Sequence, residues 1–190
     1  MKFHYKQLKS STRLSGRILT FLAATLIGAV ACSSGEPTEE LSNGAYANLK
    51  PTRGNTAVGT VTFLNSANGV DMQVLIRGLS PGAHGFHVHE NGDCTSDDGS
   101  SAGGHYAPEG HSHGAPTDAN RHTGDLGNVI ANENGFVELT LTDRHLALTG
   151  PNSIIGRAIV VHGGADDLKS QPSGAAGPRV ACGVVVPNEQ

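Results

Sequence analysis

Apolar and polar residues alternate along Val70-Asp71-Met72-Gln73-Val74-Leu75-Ile76-Arg77, with Val70, Met72, Val74 and Ile76 on one face. A period of two predicts a half-buried strand. Asn68-Gly69 separates this run from Thr60-Val61-Thr62-Phe63-Leu64, a hairpin signal because glycine tolerates positive φ. Asn134-Gly135 repeats the arrangement between Asn128-Val129-Ile130-Ala131 and Val137-Glu138-Leu139-Thr140-Leu141. Further strands are expected at 85–89, 158–162 and 180–186. No helical periodicity longer than a turn or two follows Cys32. The chain has 26 Gly and no Trp, so its core must come mainly from Val, Leu and Ile. These features predict an all-β fold, an antiparallel Greek-key sandwich or flattened barrel.

Two stretches break the strand rhythm, residues 90–128 and 163–179. Loops of that length in a compact domain are functional or disordered. For the first, histidine decides the matter. Of ten His in the chain, seven fall between His84 and His122. His87 and His89 flank Val88 on a predicted strand, so both imidazoles share one face while Phe86 and Val88 point to the core. The loop then supplies His105, His111, His113 and His122, with Asp125 just beyond, and His162 ends a different strand. Imidazoles with one carboxylate and no set of thiolates suit zinc and copper(II). His145 reads as a solvated strand-end residue.

The beginning of the chain has a different character. Lys2, Lys6, Lys9, Arg13 and Arg17 precede an apolar run, 18–31, that closes on Ala29-Val30-Ala31-Cys32, and no acidic residue occurs before Glu36. This pattern predicts a secretory signal over 1–31; an uncleaved anchor is disfavoured because spanning a bilayer takes about 20 apolar residues. Cys32, Cys94 and Cys182 are the three cysteines. Outside the cytoplasm the last two can pair, which leaves Cys32 odd and in need of a role. The small residues at 29–31 fit a lipoprotein cut, although Leu is more usual than Ala at position 29; simple cleavage is the alternative. Lipidation of Cys32, with 32–44 as a flexible polar tether, predicts a protein of the cell envelope, periplasmic and lipid-anchored to a membrane. The remaining domain, 45–190, follows that tether. Removing the signal takes five of 13 basic residues and none of 17 acidic ones, leaving a formal charge of −9. Nucleic acid is excluded as a partner, since phosphate binding needs clustered Lys and Arg.

Several separated motifs resemble one family, the copper/zinc superoxide dismutases, in its bacterial secreted form. They are Gly85-Phe86-His87-Val88-His89-Glu90, Gly104-His105, Arg121-His122-Thr123-Gly124-Asp125-Leu126-Gly127-Asn128, Val161-His162 and Gly177-Pro178-Arg179-Val180-Ala181-Cys182-Gly183-Val184. The resemblance implies a copper ion held by His87, His89, His105 and His162. It implies a zinc ion held by His105, His113, His122 and Asp125, with His105 shared. His111-Ser112-His113 offers two candidates for one ligand; His113 is preferred because His-Gly-Ala-Pro is similar to the family's His-Gly-x-Pro, and His111 stays open as a substitute. Asp166 resembles a carboxylate that links a copper histidine to a zinc histidine, with its neighbour Asp167 as alternative. His84 is similar to a packed structural histidine. Cys94 and Cys182 match the family's disulfide.

Cys94 stands close behind His89, as in bacterial members, and the second long loop is short and poor in charge compared with animal enzymes. The activity implied is disproportionation of superoxide, with His105 as proton carrier and Arg179 as guide for the anion. An envelope lipoprotein for metal buffering or delivery is the alternative, although storage needs neither a shared histidine nor Arg179. A third class, a β-sandwich that has lost catalysis, would lack a copper ligand or Arg179. Monomeric and dimeric branches both share these features, so a homodimer stays open.

Overall fold

The computed structural model describes residues 44–189, so the expected signal, Cys32 and all of the expected tether but its last residue lie outside the described residues, and that residue, Gly44, begins the first strand. Eight strands follow one another: β1 Gly44–Pro51, β2 Val58–Ser66, β3 Gly69–Arg77, β4 Gly82–His89, β5 Asp125–Ala131, β6 Val137–Asp143, β7 Ala158–His162 and β8 Arg179–Pro187. One 3₁₀ turn, Ser100–Ala102, is the sole helical element among the described residues. Every strand pair is antiparallel and the spatial order is β5-β4-β7-β8-β1-β2-β3-β6. Non-consecutive neighbours such as β3 with β6, β4 with β7 and β1 with β8 require the Greek-key crossovers expected from the sequence. The terminal strands of that order, β5 and β6, are consecutive in the chain and joined by a short turn, so the sheet curls almost into a barrel.

The core follows the alternation. Val70, Met72, Val74 and Ile76 of β3 are buried, as are Val61 and Phe63 of β2. Phe86 and Val88 of β4 and Ile159 and Val161 of β7 meet them in the same cluster. Strand β1 is a departure from expectation. Its buried hydrophobic residues are Ala45, Ala47 and Leu49; two of the three are alanines, which are weak strand formers and give little hydrophobic signal.

The first hairpin also differs in detail. Ser66 pairs with Gly69, so Ala67-Asn68 form the turn and Gly69 begins β3. Gly69 has φ +125, and a Cβ there would lie 2.2 Å from the Asp143 carbonyl oxygen. The glycine thus serves the close approach of β6.

Two connections carry the chemistry: residues 90–124 between β4 and β5, and residues 163–178 between β7 and β8. A third long connection, 144–157, was not anticipated; it buries Leu146, Leu148 and Ile154 in the core.

Candidate metal centre

Strand pairing brings the histidines together. His87 and His89 share one face of β4 and lie beneath the loops, 0 and 1% exposed. Pairing of β4 with β7 sets Phe86 opposite Val161, which puts His162 at the same end. Pairing of β4 with β5 sets Asp125 opposite His87 across a bulge. A short bridge between His89 and His105 draws the first loop over the strand. Ring centroids of His87 and His105 are then 4.1 Å apart, and those of His89 and His105, and of His87 and His162, 5.0 Å.

In each of the four imidazoles one nitrogen is engaged. His87 Nε2–H donates to Asp166 Oδ2 at 2.8 Å, His89 Nδ1–H to the Gly103 carbonyl at 2.9 Å, and His162 Nδ1–H to the Gly177 carbonyl at 3.1 Å. His105 Nδ1 lies 2.7 Å from Asp125 Oδ1. The other nitrogen of each ring, Nδ1 of His87 and Nε2 of His89, His105 and His162, is buried without a hydrogen-bond partner. A buried polar atom left unpaired costs free energy, and here four such atoms come from one cluster. Burial lowers the pKa of His87 to about 4 and that of His162 to about 3, and holds His89 well below its ordinary value. Neutral rings present lone pairs. The donor set fits a copper ion, which imidazole suits.

Next to it His105 Nδ1, His113 Nδ1 and His122 Nδ1 lie 2.7, 2.9 and 3.2 Å from one oxygen, Asp125 Oδ1. The other carboxylate oxygen accepts from the backbone N–H of Gly114 and of His122. Burial alone would raise the Asp125 pKa, but hydrogen bonds from His105, Gly114 and His113 hold it well below the usual carboxylate range. Three imidazoles with one carboxylate form the kind of four-ligand group that zinc takes. His105 belongs to both groups, and in each the candidate ligand atoms lie within 4.8 Å of one another. His111 is outside them; its Nδ1–H donates to the Arg121 carbonyl at 3.2 Å.

Asp166 spans the two groups. Its Oδ2 accepts from His87 and its Oδ1 from His113 Nε2–H at 3.0 Å. Such outer bonds set the tautomer and direction of metal-ligating rings. Asp167 points elsewhere, bonded to Lys169 N–H and Ser170. The sequence reading did not foresee Asn128, whose side-chain amide binds the Asp166 backbone at both N–H and carbonyl, 2.8 and 2.9 Å. A polar residue in the middle of β5, followed by Val129-Ile130-Ala131, was the signal for it. Arg121 was likewise given no role. It is 1% exposed, pairs with Asp143, and donates to the carbonyls of His122 and Thr123 at 2.8 and 3.1 Å, so it pins the segment that carries His122. His84, 2% exposed, donates from Nδ1 to the carbonyl of His162 at 2.7 Å and is packed, not a ligand. His145 is half-buried rather than fully solvated.

Arg179 begins β8, half-buried, and its guanidinium donates to the carbonyls of Gly99 and Gly103. Its own carbonyl accepts from the Thr52 hydroxyl at 2.8 Å. Burial lowers its pKa, opposed by nearby Asp98; a guanidinium stays charged regardless. Arg179 lines an open cleft with Thr52, Arg53, Asn55, Asp97 and Asp98. Cys94 and Cys182 are joined by a disulfide with Cα atoms 5.7 Å apart. This bond ties the loop bearing Gly99 and Gly103 to the strand bearing Arg179.

Comparison with known proteins agrees with this geometry. The family model described as copper/zinc superoxide dismutase matches residues 57–185. An extracellular superoxide dismutase [Cu-Zn] of Brugia pahangi is 47% identical over 136 residues, 67% of this chain and 68% of the relative. Among solved structures, the crystal structure of the clock protein EA4 is similar with a TM-score of 0.71 and 44% identity, across 78% of this chain and 96% of that one.

Proposed function

The chain belongs to the copper/zinc superoxide dismutase family, and on that footing we propose which residues perform the dismutation. The enzyme is an oxidoreductase with copper and zinc as cofactors. It converts two superoxide anions and two protons into oxygen and hydrogen peroxide. His87, His89, His105 and His162 hold the copper; His105, His113, His122 and Asp125 hold the zinc. When bound, copper supplies the one-electron couple and zinc, which has no redox chemistry, a fixed positive charge beside His105.

The chain's own residues do the rest. His105 Nε2 faces the copper set, takes up a proton between the two half-reactions and delivers it to the reduced oxygen. Asp166 keeps the His87 and His113 rings turned so that their free nitrogens face inward. Arg179, fixed by two carbonyls, offers positive charge to a small anion at the mouth of an otherwise acidic protein.

One observation carries this reading: four buried imidazole nitrogens in one cluster lack any other partner. Metal analysis tests it. The wild type should hold about one copper and one zinc, as four-ligand sets imply. His87→Ala should lose copper and keep zinc, whereas His122→Ala should lose zinc and keep some copper. Loss of neither metal from either variant would refute the assignment. A buffering or delivery role is not favoured, since it has no use for Arg179 or a shared histidine.

We further propose that the protein is exported behind residues 1–31 and anchored in the cell envelope by a lipid on Cys32. The Cys94–Cys182 disulfide leaves Cys32 as the odd cysteine. The name of the Brugia pahangi relative, extracellular, supports export.

A further inference from the structure

We propose that Gln171, in the loop between β7 and β8, is the residue that latches the zinc-binding segment shut and sets how long zinc is retained. The inference rests on His113 being a zinc ligand. The Gln171 amide engages both backbone groups of His113: Oε1 accepts its N–H at 2.9 Å, and Nε2 donates to its carbonyl at 2.9 Å. A primary amide used in this way imitates a neighbouring peptide group of an antiparallel strand. A third bond, Nε2–H to the carbonyl of Lys169 at 3.1 Å, fixes the amide to its own loop. The same loop supplies Asp166, which holds the ring of His113 through Nε2. His113 is therefore gripped by one loop at its ring and at its backbone, and its side chain is fully buried.

His113 sits in an irregular segment, with no strand ladder to hold it. For its Nδ1 to leave the zinc group, the backbone at 113 must move, and that movement breaks both Gln171 bonds. Asp166 restrains the ring, and the Gly114 N–H, donating to Asp125 Oδ2 at 3.0 Å, holds the following peptide, so the Gln171 bonds are what fix the N–H and carbonyl of His113 itself. Because the loop over 163–178 is short, one side chain carries this contact where a longer loop could spread it over many. Gln171 is thus a positioning residue that acts on zinc through His113 and has no place in the electron-transfer chemistry.

Zinc release from the copper- and zinc-loaded protein, followed with a chromogenic chelator at neutral pH and with copper content measured in parallel, tests this. Loss of two hydrogen bonds should speed zinc release from Gln171→Ala at least about tenfold, with copper retained. Gln171→Glu, which still accepts from the His113 N–H but cannot donate to its carbonyl, should fall between. Ser170→Ala, which alters the same loop without touching His113, should match the wild type. Release from Gln171→Ala as slow as from wild type would overturn the latch, and equal acceleration by Ser170→Ala would reduce it to general loosening of the loop. A wild type that holds no zinc would instead overturn the zinc reading beneath it.

Discussion

His89 and Arg179 donate to the same atom, the carbonyl oxygen of Gly103, at 2.9 and 2.5 Å. The proposed copper ligand and the proposed guiding cation are thereby registered to each other by one peptide group, and the Cys94–Cys182 disulfide holds the surrounding loop to β8. Arg179 and His89 cannot drift apart without breaking a bond to that shared carbonyl.

Steering by Arg179 has a salt signature. Field steering, of which superoxide dismutases are a known example, changes association rates by about 10- to 10³-fold. Arg179→Glu should slow superoxide capture at least about tenfold at low salt, with both metals bound. Wild-type turnover should fall as salt rises, because an attractive field is screened over about 10 Å at 0.1 M. The Glu variant should fall less or rise. Equal salt slopes in fully metallated proteins would return Arg179 to a purely structural role.

Asp166 must accept from two rings at once. Asp166→Asn keeps one acceptor oxygen and turns an N–H toward the other ring, so either His87 or His113 loses its orientation. Affinity for the corresponding metal should drop about 10- to 100-fold. Gly174→Ala should act in the same direction, because at φ +69 its Cβ would lie 1.8 Å from Asp166 Oδ1. Competition titrations with chelators measure both variants, and unchanged affinities would remove Asp166 from the site.

Acid should destabilise the metal-free protein well before its carboxylates titrate. His87 and His162 are depressed in the folded state, to about 4 and about 3. Below their unfolded value of about 6.5 the unfolded chain therefore binds more protons than the folded one. Stability should fall steadily from about pH 6.5 to about pH 3. Metal should raise stability across that range but keep the downward slope, because the metal-held rings stay neutral while the unfolded chain still takes up their protons. Thermal midpoints of metal-free and metal-loaded protein across that range check the sign.

Cys32→Ser should release the protein from the membrane fraction with no loss of specific activity, and the wild type should carry N-terminal acyl mass. A wild type found wholly soluble and beginning at an unmodified Cys32 would contradict the anchor.

The strands of the core were legible in sequence because Val70, Met72, Val74 and Ile76 mark a face without ambiguity. Strand β1 was not, since Ala45 and Ala47 bury little apolar surface and look like loop. The histidine cluster was visible as a local density, and its division into two metal groups came through resemblance to a family. The anchoring bonds escaped. Gly103 and Gly177 contribute only carbonyl oxygens, whose positions depend on loop paths that no residue-type pattern encodes. Asn128 and Gln171 act through side-chain amides on partners 38 and 58 residues away, separations that only the folded chain closes.

Superoxide decay followed through one cycle of copper removal and return tests the central claim most directly. The account predicts that the copper-free, zinc-loaded protein is inactive, that copper alone restores it, and that His162→Ala is not restored. Full activity in a protein that holds zinc but no copper would contradict it.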